Sequence, residues 1–418
     1  MATIKPFAAL RPLQDVAPQI CEPPYDVVSA DEARTVAAGN HMSFFHVSRP
    51  EVDLPPETDP HSTRVYEKGR QNFQAVIKLG ALEQDTQPCF YLYRQSIGQF
   101  SQTGLVAVTS CEEYLRGVIK KHELTRVDKE DDRVRHIDAL NAQTGPAFLV
   151  HRNGAFLDEL IAQKTGGNPD IDFTAADGVR HTSWTISERE EIEFIQRAFT
   201  SVQQLYIADG HHRTAAAARV FKQRNGAGES GYFLAVIFPH DHVQILPYNR
   251  VLKDLKGWTP EQILQILDTA FAFKRDVSPL PTAPHEISFY MAGKWHTLVF
   301  REKFQNLEKL KKWDEKNPKE KKDPLEKLDV TLLQEHILKP VFGIDDPRTS
   351  DRIRFVGGIR GTAELEKLVN SGEYACAFSM YPTDMEDLIA VADAGKIMPP
   401  KSTWFEPKLR DGMFCHLI

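Results

Sequence analysis

The stretch Leu205-Tyr206-Ile207-Ala208-Asp209-Gly210-His211-His212-Arg213-Thr214-Ala215-Ala216-Ala217 constrains the fold of this chain more than any other. Four apolar residues suited to a buried strand run straight into Asp-Gly, a pair that permits a tight turn, and the turn opens onto alanines of high helix propensity. So abrupt a strand-to-helix junction points backbone N–H groups and the positive end of a helix dipole at whatever occupies the turn. Arg213 adds a planar donor fork suited to phosphate, and Thr214 adds a hydroxyl. The junction is therefore equipped for an anion. Asp209, on the strand side, is placed to act as a general base or to hold Mg²⁺ beside the same phosphate, and His211 and His212 can donate hydrogen bonds or protons. The plainer alternative is a capped helix start whose histidines are satisfied by the core.

Around this junction the chain alternates two kinds of periodicity. Strand patterns are expected at Cys89–Tyr93, Gly104–Val108, Ala147–Val150, Leu205–Ala208, Tyr232–Phe238, Ile287–Tyr290 and Ala375–Met380. Helical spacing is expected over Thr63–Leu79, Lys129–Gln143, Ser187–Phe199, Arg213–Arg224, Pro260–Ala272, Thr331–Leu338 and Thr383–Ala394. Two strands flank Pro239-His240-Asp241-His242, and Glu286–Phe300 forms a hairpin turning at Ala292-Gly293-Lys294. Strict strand-helix alternation is absent, so the fold class is α+β, with mixed sheets and surrounding helices. At roughly 100–200 residues per domain, 418 residues make two or three domains. The expected divisions are 1–185, 186–300 and 301–418. The segment Arg301–Lys327, dense in charge and holding two prolines, is expected to be an exposed excursion.

Composition excludes several classes. Formal net charge is −7, which gives no global support for a nucleic-acid partner or an anionic membrane surface. No window approaches the roughly 18 apolar residues of a transmembrane helix, and the N-terminus lacks the apolar core of a secretory signal. The five cysteines are scattered, with no C-x-x-C pair, as expected of reduced thiols in a cytoplasmic protein.

Two further blocks carry chemistry. Lys121-His122-Glu123-Leu124-Thr125-Arg126 follows the apolar stretch Tyr114–Ile119, so His122 and Glu123 are expected at a strand end near the sheet. Position 126 is Arg, and the block is not the H-E-x-x-H of zinc proteases. Met398-Pro399-Pro400-Lys401-Ser402-Thr403 is stiffened by its proline pair, and with Lys408 it sets two lysines and two hydroxyls where they can grip phosphate. It lacks the glycines of a P-loop.

The Asp-Gly-His-His-Arg turn resembles the phosphate-binding signature of the ParB and sulfiredoxin superfamily. Sulfiredoxin has a catalytic cysteine in its version of the turn, whereas this chain has His211 and no cysteine nearby. The free serine kinases keep the Asp-Gly-His form and are the closer analogue. A broader resemblance covers nearly the whole chain. Pro23-Pro24-Tyr25-Asp26-Val27, Lys121-His122-Glu123-Leu124-Thr125, Asp132-Arg133, Asp209–Arg213, Leu246-Pro247-Tyr248-Asn249-Arg250 and Met398–Lys408 are similar to the successive motifs of the bacterial and archaeal domain-of-unknown-function family 1015. Members of that family tend to carry Thr-His-Arg where this chain has Tyr248-Asn249-Arg250. The resemblance implies a nucleotide-binding core of ParB/sulfiredoxin type, and its association with serine biosynthesis implies the serine kinase branch.

The expected function is a nucleotide-dependent kinase acting on a small hydroxylated metabolite, with free serine or a related amino acid foremost. ATP or ADP and Mg²⁺ are the expected cofactors. Asp209, Glu123, His122 and His211 form the expected catalytic set. Phosphate falls to Gly210, His212, Arg213, Thr214, Arg250, Lys401, Ser402, Thr403 and Lys408. By the resemblance, Tyr25, Asp26, Thr125 and Arg133 meet the substrate. The expected partners are the nucleotide and the small molecule, with neither nucleic acid nor membrane. Three alternatives stay open: a nucleotide hydrolase acting as a ParB-type switch, a ligand sensor without chemistry, and a metal hydrolase built on His122, His211, His212 and carboxylates.

Overall fold

A computed structural model describes residues 1–152, 156–275, 277–300 and 323–418. Contacts divide it into two units, one formed by Met1–Val243 with Pro407–Ile418 and the other by Gln244–Glu406. The divisions expected at 185/186 and 300/301 do not coincide with these boundaries. The reason is long-range pairing: Ile186 lies in the strand Arg180–Ile186, which pairs with Phe90–Ile97 in a sheet that also takes in Leu205–Asp209 and Tyr232–Pro239. Most of the charged excursion, residues 301–322, lies outside the described residues.

The first unit is built on a nine-stranded mixed sheet. Its center is apolar and β-branched: Leu105, Ala107, Leu149, Ile207, Ala235 and Ile237 are all buried in one core cluster. Strand Ala147–His151 runs antiparallel to Leu205–Asp209 and parallel to Tyr232–Pro239. The short strand Ile119–Lys120 runs parallel to Leu205–Asp209 at the edge of the sheet. The expected apolar stretch Tyr114–Ile119 is strand only at its end, and its first residues close a short helix, Cys111–Leu115, because the Ser110 hydroxyl accepts from the Glu113 N–H and starts it. Helices Val127–Leu140 and His211–Gln223 pack through Val134, Ile137, Ala216 and Val220. The small alanines after Arg213 are what bring these helices close.

Segment Pro407–Ile418 returns to this unit. Cys415 bridges Leu10, Asp411 bridges Glu22, and His416 pairs with Gln143.

The second unit contains a six-stranded sheet, among them Tyr248–Leu252, Glu286–Met291, Lys294–Val299 and Cys376–Met380. The expected hairpin turns at Ala292-Gly293, both at positive φ of 51° and 78°, which is the backbone a two-residue hairpin loop demands. The strand following Pro239–His242 is Gln244–Leu246, which pairs antiparallel with Trp404–Glu406 in this unit.

Candidate functional site

Leu205–Asp209 ends at Gly210, whose φ of +90° is a left-handed conformation open to glycine. A Cβ there would lie 3.2 Å from the Ala147 Cα, so strand Ala147–His151 also needs the missing side chain. Helix His211–Gln223 follows at once, and its first-turn N–H groups have no carbonyl one turn earlier within the helix. Thr214 is wholly buried, with its hydroxyl donating to the Gly210 carbonyl (3.1 Å), so it secures the turn from inside.

Asp209 is bound from both sides. The Gly210 N–H donates to Oδ1 (2.8 Å), and Lys408 Nζ donates to Oδ2 (2.8 Å) from 199 residues further along the chain. Burial alone would raise this carboxyl, but Lys408 and Arg213 hold it well below the usual carboxylate range. Arg213 is directed at Pro146, with Nη1 donating to the carbonyl (2.5 Å). Burial disfavours its charge, and Asp26, Asp411 and Asp209 together more than restore it.

Beyond Arg213 lies a small cavity of about 30 Å³, enough for one water, lined among others by Tyr25, Arg133, Thr144, Gly145, Arg213 and Asp411. The Arg133 guanidinium sits 3.8 Å over the Tyr25 ring and donates to Asp132 Oδ2 (2.7 Å), which the Tyr66 hydroxyl and His61 flank through Oδ1. The Thr125 hydroxyl donates to Glu130. On the other side of Asp209, the rings of His122 and His211 meet edge to face with centroids 4.5 Å apart. Burial keeps both neutral, pushing His122 down to about 4 and His211 well below its ordinary value. His212 turns away, its Nε2 accepting from the Arg126 N–H (3.1 Å).

The first unit therefore brings together Tyr25, Asp26, His122, Glu123, Arg133, Asp209–Arg213 and Lys408. The family model described as a protein of unknown function (DUF1015) matches residues 4–331. The chain belongs to that family. Comparison with curated proteins finds no match. Among solved structures, a conserved hypothetical protein from Pyrococcus furiosus aligns at 13% identity over 73% of this chain and 94% of its own, with a TM-score of 0.32. A free serine kinase in complex with AMP aligns at 13% identity over 73% and 90%, with a TM-score of 0.34. SbnI with a C-terminal truncation, from Staphylococcus aureus, aligns at 10% identity over 72% and 82%, with a TM-score of 0.35.

In this DUF1015 chain the remaining expected phosphate residues belong to the second unit. Arg250 is buried there, donating to the Tyr248 carbonyl and to the Lys401 carbonyl (3.2 Å), and burial lowers it to about 9. Lys401 Nζ sits 5.4 Å from the Tyr248 ring center, and the Ser402 hydroxyl donates to the Pro399 carbonyl (2.6 Å). Thr403 immediately precedes the strand Trp404–Glu406, which pairs with Gln244–Leu246. Asn249 accepts from the Met380 N–H (3.0 Å) and ties two strands together.

Two residues of this DUF1015 site escape sequence reasoning. Asp411 is buried, its Oδ2 accepts from the Tyr25 N–H (3.3 Å), and Oδ1 has no partner. Burial raises it to about 7 against the opposing pull of Arg213. Gly145 passes so close that a Cβ would lie 2.1 Å from Asp411 Oδ1. The only hint in the sequence is the Asp411-Gly412 pair, which marks a turn and not a carboxylate facing Arg213. Phosphate fits the donor set of two guanidinium groups, an ammonium and a helix N-terminus. Mg²⁺ does not fit Asp209, because both its oxygens are already engaged and an ammonium stands where the ion would bind.

All five cysteines are buried and free. Among the described residues no helix is long and apolar enough to cross a membrane.

Proposed function

We propose that this protein is a nucleotide-dependent phosphotransferase that phosphorylates a small hydroxylated metabolite, with free serine or a related amino acid as the acceptor. The observation that carries the reading is the ion pair of Lys408 with Asp209 at the N-terminus of a helix whose first turn also holds Arg213. An arriving phosphate competes with Asp209 for Lys408. The ammonium moves to the anion, and Asp209, relieved of its partner, regains basicity where a hydroxyl is to be deprotonated. Gly210 and the first-turn N–H groups of His211 and His212 cradle the phosphate, and Arg213 supplies the bidentate fork. Arg133 and Tyr25, with Asp26 and Thr125, are assigned to the acceptor. The acceptor oxygen then bonds to the terminal phosphorus, the bond to the departing nucleotide breaks, and the proton goes to Asp209.

Thermal shift with ATP, ADP, CTP and GTP, each alone and with hydroxy amino acids, tests the reading, followed by phosphorus NMR of the products. A ligand at 100 times its dissociation constant stabilises by about 2.7 kcal/mol. The expected result is a nucleotide shift abolished in Arg213→Ala and a new phosphomonoester formed only with an acceptor. Phosphate release without an acceptor points to the hydrolase, binding without turnover points to the sensor, and no shift with any nucleotide rejects nucleotide binding altogether.

A further inference from the structure

His122, Glu123 and His211 form a cluster that the phosphate chemistry leaves unused. We propose that these three residues bind a divalent transition metal ion, with Zn²⁺ the best match. One ligand atom from each lies within 4.8 Å of the other two. His122 and His211 are only 2% and 6% exposed, yet His122 Nδ1 and His211 Nε2 have no hydrogen-bond partner. Buried ring nitrogens are ordinarily satisfied, so two orphans in facing rings call for a common occupant.

The hydrogen bonding of the ring suits a metal. The other His122 nitrogen bonds to the backbone of Ile207, the arrangement that fixes the tautomer of metal-bound imidazoles and leaves the free nitrogen as a lone-pair donor.

The placement is rigid. His122 and Glu123 stand one residue beyond strand Ile119–Lys120, and His211 opens the helix after the parallel strand Leu205–Asp209. Two nitrogens and one carboxylate oxygen make the three-ligand set that leaves a metal with an open position, and they suit a borderline cation better than Mg²⁺, which takes oxygen. This assignment gives Glu123 to the metal and leaves Asp209 as the proton acceptor of the phosphotransferase reading.

The test needs no nucleotide and so stands apart from that reading. Full-length protein, dialysed against chelator, is titrated with Co²⁺ and Zn²⁺ by calorimetry, and the Co²⁺ form is studied by visible and X-ray absorption spectroscopy. The expected result is one equivalent bound, with two imidazoles and a carboxylate in the first coordination sphere. Glu123→Gln, His122→Ala and His211→Ala are each expected to weaken binding by at least about 100-fold, the upper end of what loss of an outer-shell partner costs. Absence of a one-equivalent site in the wild-type protein overturns the proposal, as does a site whose absorption spectrum shows fewer than two imidazoles. Unchanged affinity in a folded Glu123→Gln removes the carboxylate from the ligand set and overturns the three-residue assignment.

Discussion

Folding takes Asp411 far from the ordinary behaviour of a carboxyl. Arg213, Arg133, Asp26 and the Tyr25 N–H surround it, and its folded value of about 7 lies above the ordinary carboxylate value near 4. A carboxyl raised by folding contributes stability that is fully present below about pH 4 and is lost as the pH rises to about 7. The buried neutral histidines 122 and 136, both lowered to about 4, act in the opposite sense: their contribution is present above about pH 6.5 and is lost as the pH falls through about 4. Comparison with Asp411→Asn separates the two. The variant is expected to gain stability relative to wild type between pH 5 and pH 8 in urea melts, and a constant difference across that range would show that Asp411 titrates normally. The carboxylate set around Arg213 was half legible in the sequence. Asp26 and Asp209 sit in recognisable motifs, but Asp411 becomes a site residue only because the terminal segment bridges Glu22 and places it beside Gly145. No periodicity reports such a meeting.

At the scale of elements, the strand-turn-helix at Asp209 was readable because each local preference agrees with the fold: an apolar run, a glycine at positive φ, and small residues where two helices approach. Gly210→Ala is expected to cost about 1–3 kcal/mol through its left-handed backbone and the 3.2 Å approach to Ala147, and to reduce nucleotide-dependent thermal shift alongside. An alanine variant with wild-type stability would mean that the turn relaxes to another conformation. Helix and strand positions such as Thr63–Lys78 and Glu286–Met291 followed from their periods. Strands Ile171–Thr174 and Arg180–Ile186 did not, since His181, Thr182 and Ser183 are polar and become buried only by pairing with Phe90–Ile97. Their polarity hides them from any search for apolar runs.

For the whole molecule, the decisive fact is that the first unit is discontinuous in sequence, with Gln244–Glu406 inserted before its last segment. Reading along the chain groups neighbours, so the expected divisions missed this arrangement. Removing Pro407–Ile418 takes away Lys408 and Asp411 together with the bridges to Leu10 and Glu22 and the pairing with Gln143. Breaking a partly buried ion pair costs up to about 3–5 kcal/mol, and at roughly 2–4 °C per kcal/mol the truncated chain should melt about 6–20 °C lower or fail to fold. Circular dichroism decides, and a near-native melting temperature would show that the segment is an accessory.

The same discontinuity sets a timetable. Asp209 and Lys408 are 199 residues apart, and at roughly 5–20 residues per second the ribosome delivers the lysine about 10–40 seconds after the aspartate. For that interval the nascent sheet carries an acidic strand end beside Arg213 without its closing cation. The anion turn is assembled first, and its electrostatic balance is completed only once residue 408 has followed.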